Sequence, residues 1–134
     1  MTSNCIFCKI ASGNDASTTL LYNDESVVAF KDISPAAEHH FLVIPKKHIK
    51  NINELKKDDN ELVKNMKETG LKLISEKLGE SQSSITSTEY LIGFVSPPFN
   101  SVAHMHMHVL TKPITCWWPR SVVFGRWIFK NVDE

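Results

Sequence analysis

Three histidines at strict alternation, in His104-Met105-His106-Met107-His108-Val109-Leu110, constrain the fold more than any other feature of the chain. On a strand successive side chains point to opposite faces, so the histidines share one face while Met105 and Met107 enter a core from the other. A helix would turn the same residues by about 100° per step and scatter them. Prolines at 97, 98 and 113 leave little room for one. The spacing therefore predicts a strand with one imidazole face and one apolar face. At about 3.3 Å per residue the outer two backbones lie roughly 13 Å apart, too far for easy convergence on one ion with bonds near about 2 Å. A row of imidazoles suits instead a substrate with several charged oxygens, because histidine can be nucleophile, proton donor or cationic donor near neutral pH. Phosphate chemistry is the natural candidate. The plainer alternative is a His-rich strand face or a fortuitous metal-binding tract.

The 134 residues suffice for one domain around a single core, residues 1–134, with 116–134 as a C-terminal tail. Lys plus Arg and Asp plus Glu both count 15, so no net field argues for a nucleic-acid partner. A small molecule or a protein is the better candidate. No run of about 18 apolar residues is present, and the opening MTSNCIFCKI lacks the basic start and apolar core of a signal peptide. The expectation is a soluble protein of the cytoplasm, with the nucleus as a second compartment and no membrane partner. Three cysteines, two of them in Cys5-Ile6-Phe7-Cys8, do not make a disulfide framework. Metal or redox use and ordinary burial of free cysteine both stay open at this point.

Along the chain, Thr19 to Tyr22, Ser26 to Lys31 and His40 to Pro45 are short apolar runs separated by turn-forming residues, and read as three antiparallel strands. From Asp58 the period changes: Leu62, Met66, Gly70, Leu73 and Lys77 share one face, widened by Val63 and Ile74. This predicts an amphipathic helix of about five turns, capped by Asp58 with Glu61 and stopped by Gly79. After a Ser-rich loop, Tyr90 to Val95 and Val102 to Leu110 form a hairpin-like pair joined through Pro97-Pro98. Residues 116–134, with all three tryptophans, read as ordered but without a predicted shape. The order predicts an α+β fold: an antiparallel five-stranded sheet with a long helix packed on it.

The H-x-H-x-H run followed by two apolar residues, together with Ala29-Phe-Lys-Asp-Ile-Ser-Pro35 and His40-Phe-Leu-Val-Ile-Pro-Lys-Lys-His48, resembles the three hallmark segments of the histidine triad superfamily, nucleotide-binding branch. The resemblance spans residues 5 to 110. It implies a nucleoside phosphoramidate hydrolase that takes a purine nucleoside monophosphate or phosphoramidate and works through a covalent nucleotidyl-histidine. His106 would be the nucleophile, His108 would bind phosphate and protonate the leaving group, His104 would hold the nucleophile's ring, and His40 would support them. Asp32 would accept from the ribose hydroxyls, Phe7, Ile10, Phe30 and Ile33 would form an apolar wall, and Asn100 and Ser101 would bind the phosphate. For the four apolar residues plain core packing is the competing reading.

The resemblance also supplies partners for the cysteines. Some members bind structural zinc through C-x-x-C, a histidine at the position of His48 and the first triad histidine, which implies Cys5, Cys8, His48 and His104 as ligands here, with no organic cofactor. It further implies a homodimer. Two departures stand out: Val95-Ser96-Pro97-Pro98-Phe99 replaces a glycine-rich loop, and Thr111-Lys112-Pro113 replaces the Gly-Gly-Arg that often follows the triad. Other readings are a dinucleoside polyphosphate hydrolase or nucleotidyl transferase of the same superfamily, a nucleotide-binding scaffold with incidental catalysis, and a small zinc-binding interaction module.

Overall fold

The structure is a computed structural model that describes residues 5–13, 15, 17–33, 35–79, 89–95, 102, 104–115 and 129–131. A short helix α1 (Ile6–Ala11) precedes strands β1 (Leu20–Asn23), β2 (Val27–Lys31) and β3 (His40–Pro45), then helix α2 (Asn60–Leu78) and strands β4 (Tyr90–Val95), β5 (Met107–Thr111) and β6 (Phe129–Asn131). The sheet order is β1-β2-β3-β5-β4-β6. Every pair is antiparallel. The five strands and the long helix expected from the sequence are present, and the tail contributes a sixth strand on the far side of β4. No helix among the described residues is long and apolar enough to cross a membrane.

Alternation along the central strands sorts the two faces. Val27, Ala29, Phe41, Val43, Met107 and Val109 pack with Met66, Leu73 and Ile74 of α2. Val28, Phe30, Leu42 and Ile44 pack on the other face against Phe7, Ile10 and Ala11 of α1. Fully buried side chains such as Met107 and Ile74 each stabilise the fold by about 1.5–3 kcal/mol. Helix α2 packs tightly on β5 at Gly70, where an added Cβ would stand 2.8 Å from Cγ2 of Val109. That contact explains a glycine in mid-helix, where it costs about 1 kcal/mol against alanine.

Three details depart from the sequence expectation. Lys77 is exposed, and the apolar stripe of α2 runs past it from Ile74 to the half-buried Leu78. The reciprocal cap belongs to Asp59, not to Asp58 and Glu61: Lys56 N–H donates to Asp59 Oδ2 at 2.9 Å, and Asp59 N–H donates to the Lys56 carbonyl at 2.9 Å. A 3-10 turn over Lys57–Asp59 causes the shift, because it places the carboxylate of residue 59 back over the chain. Gly79 does end the helix, at φ 70° with its N–H bonded to the Ser75 carbonyl.

The triad strand also starts later than Val102. Its ladder with β3 runs from Val43↔Met107 to His40↔Leu110. Continuing it would set Met105 opposite Pro45, which has no N–H to give. Instead Met105 N–H donates to the Ile49 carbonyl, and the Pro45 carbonyl accepts from His104. His104 and His106 thus sit just ahead of the ladder while Met105 still packs in the α2 core.

Asp24 pins the β1–β2 turn. Its Oδ1 accepts from the N–H groups of Ser26 at 2.7 Å and Val27 at 2.9 Å, and its Oδ2 accepts from the Tyr22 hydroxyl at 2.8 Å. Burial alone would raise this carboxyl, but the Val27, Ser26 and Tyr22 donors outweigh it and hold it below the usual range. A depressed folded value means that the stabilisation is present above about pH 4 and is lost as pH falls through that value. Asp24→Ala is expected to lower unfolding free energy by about 1–2 kcal/mol at pH 7. The gap from wild type should narrow in urea titrations at progressively lower pH. A gap that stays constant down to pH 2.5 would assign the loss to something other than the carboxylate.

Candidate active site and metal centre

The imidazoles lie on the α1 face of the sheet. His40 begins β3 and His108 sits in β5, two residues out of direct register across the ladder, where His40 faces Leu110 and His108 faces Leu42. Helix α1 brings Phe7 against the row, with its ring edge-on to His106 at 5.0 Å and to His104 at 6.0 Å. All four histidines are buried: His104 is 0%, His40 3%, His106 6% and His108 8% exposed.

Backbone groups assign the ring protons. The Pro45 carbonyl lies 2.9 Å from His104 Nε2, so that nitrogen carries a hydrogen and Nδ1 keeps its lone pair. The His104 carbonyl lies 2.7 Å from His106 Nδ1, which makes Nδ1 the donor and leaves Nε2 of His106 unprotonated. The Ala36 N–H donates to His40 Nδ1 at 2.9 Å, so the His40 proton resides on Nε2, 2.9 Å from His108 Nδ1. His108 accepts at Nδ1 and presents Nε2–H. Burial lowers the pKa of His104 and His106 below the ordinary histidine value, keeping both rings neutral at pH 7. One face therefore offers an unprotonated nitrogen beside an N–H donor, with ring centroids 5.0 Å apart. That pairing of nucleophile and acid suits transfer from an electrophilic centre whose leaving group needs a proton.

On the other side of His104 four ligand atoms converge. Cys5 Sγ and Cys8 Sγ each lie 3.3 Å from His104 Nδ1, and His48 Nδ1 lies 3.1 Å from it and 3.2 Å from Cys8 Sγ. One lone pair on His104 Nδ1 cannot accept three hydrogen bonds, so these contacts do not read as a hydrogen-bond network. They do match a tetrahedral cage, whose edges for zinc would be roughly 3.3 Å between nitrogens and roughly 3.5 Å between nitrogen and sulfur. The bond from His104 Nε2–H to the Pro45 carbonyl is the usual way of aiming a ligand imidazole. Burial, then the hydrogen bond and charge of Cys5, push the Cys8 thiol up to about 11. Two adjacent thiols become thiolates only beside a cation. The cluster can hold a metal ion.

The remaining residues divide. Phe7, Ile10 and Phe30 are core side chains, 7%, 6% and 4% exposed, so they floor the site and present little free surface. Ile33 is 98% exposed and, with Asp32, Lys31, Leu21 and Thr19, borders a cleft of about 610 Å³. Of the four apolar residues it alone stands ready to be covered. Asp32 reaches the imidazoles as well, its Oδ2 3.3 Å from His40 Nε2. Asn100 and Ser101 lie outside the described residues. The Ala36 N–H and the Pro45 carbonyl were not foreseen, and no side-chain signal could have revealed them.

A buried imidazole row of this geometry, carried on the central strands of an antiparallel sheet, sets a bare ring nitrogen beside a proton donor. The family profile described as "Scavenger mRNA decapping enzyme C-term binding" matches residues 4–118. The chain belongs to the histidine triad (HIT) superfamily. It is 42% identical over 108 residues to "Adenosine 5'-monophosphoramidase HINT3" of Xenopus tropicalis, covering 80% of this chain and 67% of that protein. It is 42% identical over 116 residues to "Bifunctional adenosine 5'-phosphosulfate phosphorylase/adenylylsulfatase HINT4" of Arabidopsis thaliana, covering 85% and 74%. The crystal structure of a HIT family hydrolase from Legionella pneumophila Philadelphia 1 superposes with a TM-score of 0.70 at 36% identity, over 87% of this chain and 99% of that one. The chain spans about two thirds of the length of the frog relative.

Proposed function

We propose that the protein hydrolyses nucleoside 5′-phosphoramidates, with adenosine 5′-phosphoramidate as the reference substrate, to the nucleoside monophosphate and an amine. The observation that carries this reading is the proton assignment: His106 Nε2 is bare because the His104 carbonyl holds Nδ1–H, while His108 presents Nε2–H because His40 occupies its Nδ1. The frog relative's name supports the choice of a phosphorus–nitrogen bond.

In this mechanism His106 Nε2 attacks the α-phosphorus. The new N–P bond forms as the P–N bond to the amine breaks; the amine takes the proton of His108 Nε2 while a water gives that nitrogen one of its own, so His108 stays neutral. The hydroxide left by that water attacks the nucleotidyl-His106, releases the nucleoside monophosphate and returns His106 to its resting form. The His104 carbonyl compensates the positive charge that His106 gains on nucleotidylation. Asp32 accepts from the ribose hydroxyls, and Ile33 covers an apolar face of the nucleoside. The same intermediate could be formed from a dinucleoside polyphosphate or an adenylyl sulfate, which differ only in the leaving group.

Zinc is the metal proposed for Cys5, Cys8, His48 and His104. Two thiolates and two imidazoles are its preferred closed set. When bound it supplies charge compensation and rigidity, not reactivity. A homodimer, and residence in cytoplasm and nucleus, belong to the same reading and rest on the family resemblance.

The test is trapping. A His108→Ala variant given adenosine 5′-phosphoramidate should accumulate a mass adduct of one nucleotidyl group, mapped to His106. If the variant still binds adenosine monophosphate yet never forms the adduct, the covalent mechanism is wrong.

A further inference from the structure

The His40 proton has two claimants. Nε2 of His40 lies 2.9 Å from His108 Nδ1 and 3.3 Å from Asp32 Oδ2. Its other nitrogen is filled by the Ala36 N–H, so His40 has one proton to offer and one nitrogen to offer it from. A carboxylate is the stronger acceptor, since a hydrogen bond to a charged partner is roughly twice as strong as one to a neutral partner. The carboxylate that competes for this proton also borders the cleft beside Ile33 where a nucleoside would lie.

We propose that Asp32 couples sugar recognition to the acid–base state of His108. This rests on the phosphoramidate reading above. Vicinal ribose hydroxyls donate to the Asp32 oxygens and satisfy the carboxylate. The His40 Nε2–H then turns fully to His108 Nδ1, which fixes His108 as the tautomer with Nε2–H toward the leaving amine. Without the hydroxyls Asp32 shares the same hydrogen, at 3.3 Å against 2.9 Å to His108 Nδ1, so the tautomer of His108 is held less firmly. No covalent bond changes in this step; one hydrogen bond is exchanged for another. Asp32 is thus a positioning residue for the acid as well as a ligand for the sugar, and the site is wired to react faster with ribonucleosides than their binding alone would allow.

The experiment compares adenosine 5′-phosphoramidate with its 2′,3′-dideoxy counterpart in single turnover, using wild type and Asp32→Asn. For wild type the saturated rate should fall about tenfold with the dideoxy substrate, in addition to any rise in half-saturation, because the effect lies on the chemical step. In Asp32→Asn the two substrates should react at saturated rates within about twofold of each other, since no carboxylate remains to compete. A wild-type response confined to half-saturation would overturn the proposal and leave Asp32 a sugar anchor only. So would an undiminished dependence on the hydroxyls in Asp32→Asn. Independently of any variant, nitrogen-15 shifts of His108 should report a fuller Nε2–H population with bound adenosine monophosphate than with the dideoxy nucleotide; identical shifts would count against the coupling. Wild type that turns over neither substrate would refute the phosphoramidate reading itself.

Discussion

Replacing His106 by alanine should lower the rate of adenosine 5′-phosphoramidate hydrolysis by a factor on the order of 10⁴. The reason lies in how little else on this face could attack. His104 turns its lone pair toward Cys5, Cys8 and His48, and His108 accepts at Nδ1 from His40, so neither ring has a bare nitrogen toward phosphorus. Binding of adenosine monophosphate should change only severalfold. The loss should be partly restored by added imidazole, which can enter the space left beside Phe7 and regain both functions of the missing ring. Steady-state kinetics with and without imidazole provide the check. A variant that keeps a tenth of wild-type activity would transfer the nucleophile's role to another residue.

Metal removal is the second large effect. With free zinc about 1,000-fold above its dissociation constant, the site adds about 4 kcal/mol to folding stability, so an excess of chelator should lower Tm by roughly 10–20 °C. Cys5→Ser and Cys8→Ser should show the lowered Tm without chelator and should purify with far less zinc than wild type. Elemental analysis and thermal unfolding on the same samples supply both readouts. A Tm that ignores the chelator, in protein that carries no zinc, would leave the cluster as free cysteines. The expected loss is larger than for a surface site because the ligands join α1, the chain after β3 and the approach to β5, three segments distant in sequence.

Much of this site was legible because it depends on spacing. The period of two across His104, His106 and His108 announced a strand face, and Met105 and Met107 do enter the opposite core. Cys5, Cys8, His48 and His104, assembled by family resemblance from three separate segments, meet within 4.8 Å. The late start of β5 was not legible, because its cause is Pro45 on the neighbouring strand, and a strand boundary set by a partner leaves no mark in the strand's own residues. Helix α1 was missed for a different reason. Its six residues are too short to show a period, although Phe7, Ile10 and Ala11 have helical spacing and Cys5 accepts the Cys8 N–H as its cap. Ile33 reads as core material by type and is nearly all in solvent, where it borders the cleft beside Asp32. The strand Phe129–Asn131 lies in the aromatic tail, where composition signalled order but three residues are too few to signal shape.

The protons of the imidazole row are assigned by the main chain: the Pro45 and His104 carbonyls and the Ala36 N–H. Main-chain groups persist through almost any substitution, so the protonation pattern does not depend on which side chains stand at these positions. Ala36 is the exception, because proline there would delete the one amide hydrogen on which the orientation of His40 depends. This small, buried alanine is therefore closed to proline, although nothing about its side chain touches the chemistry.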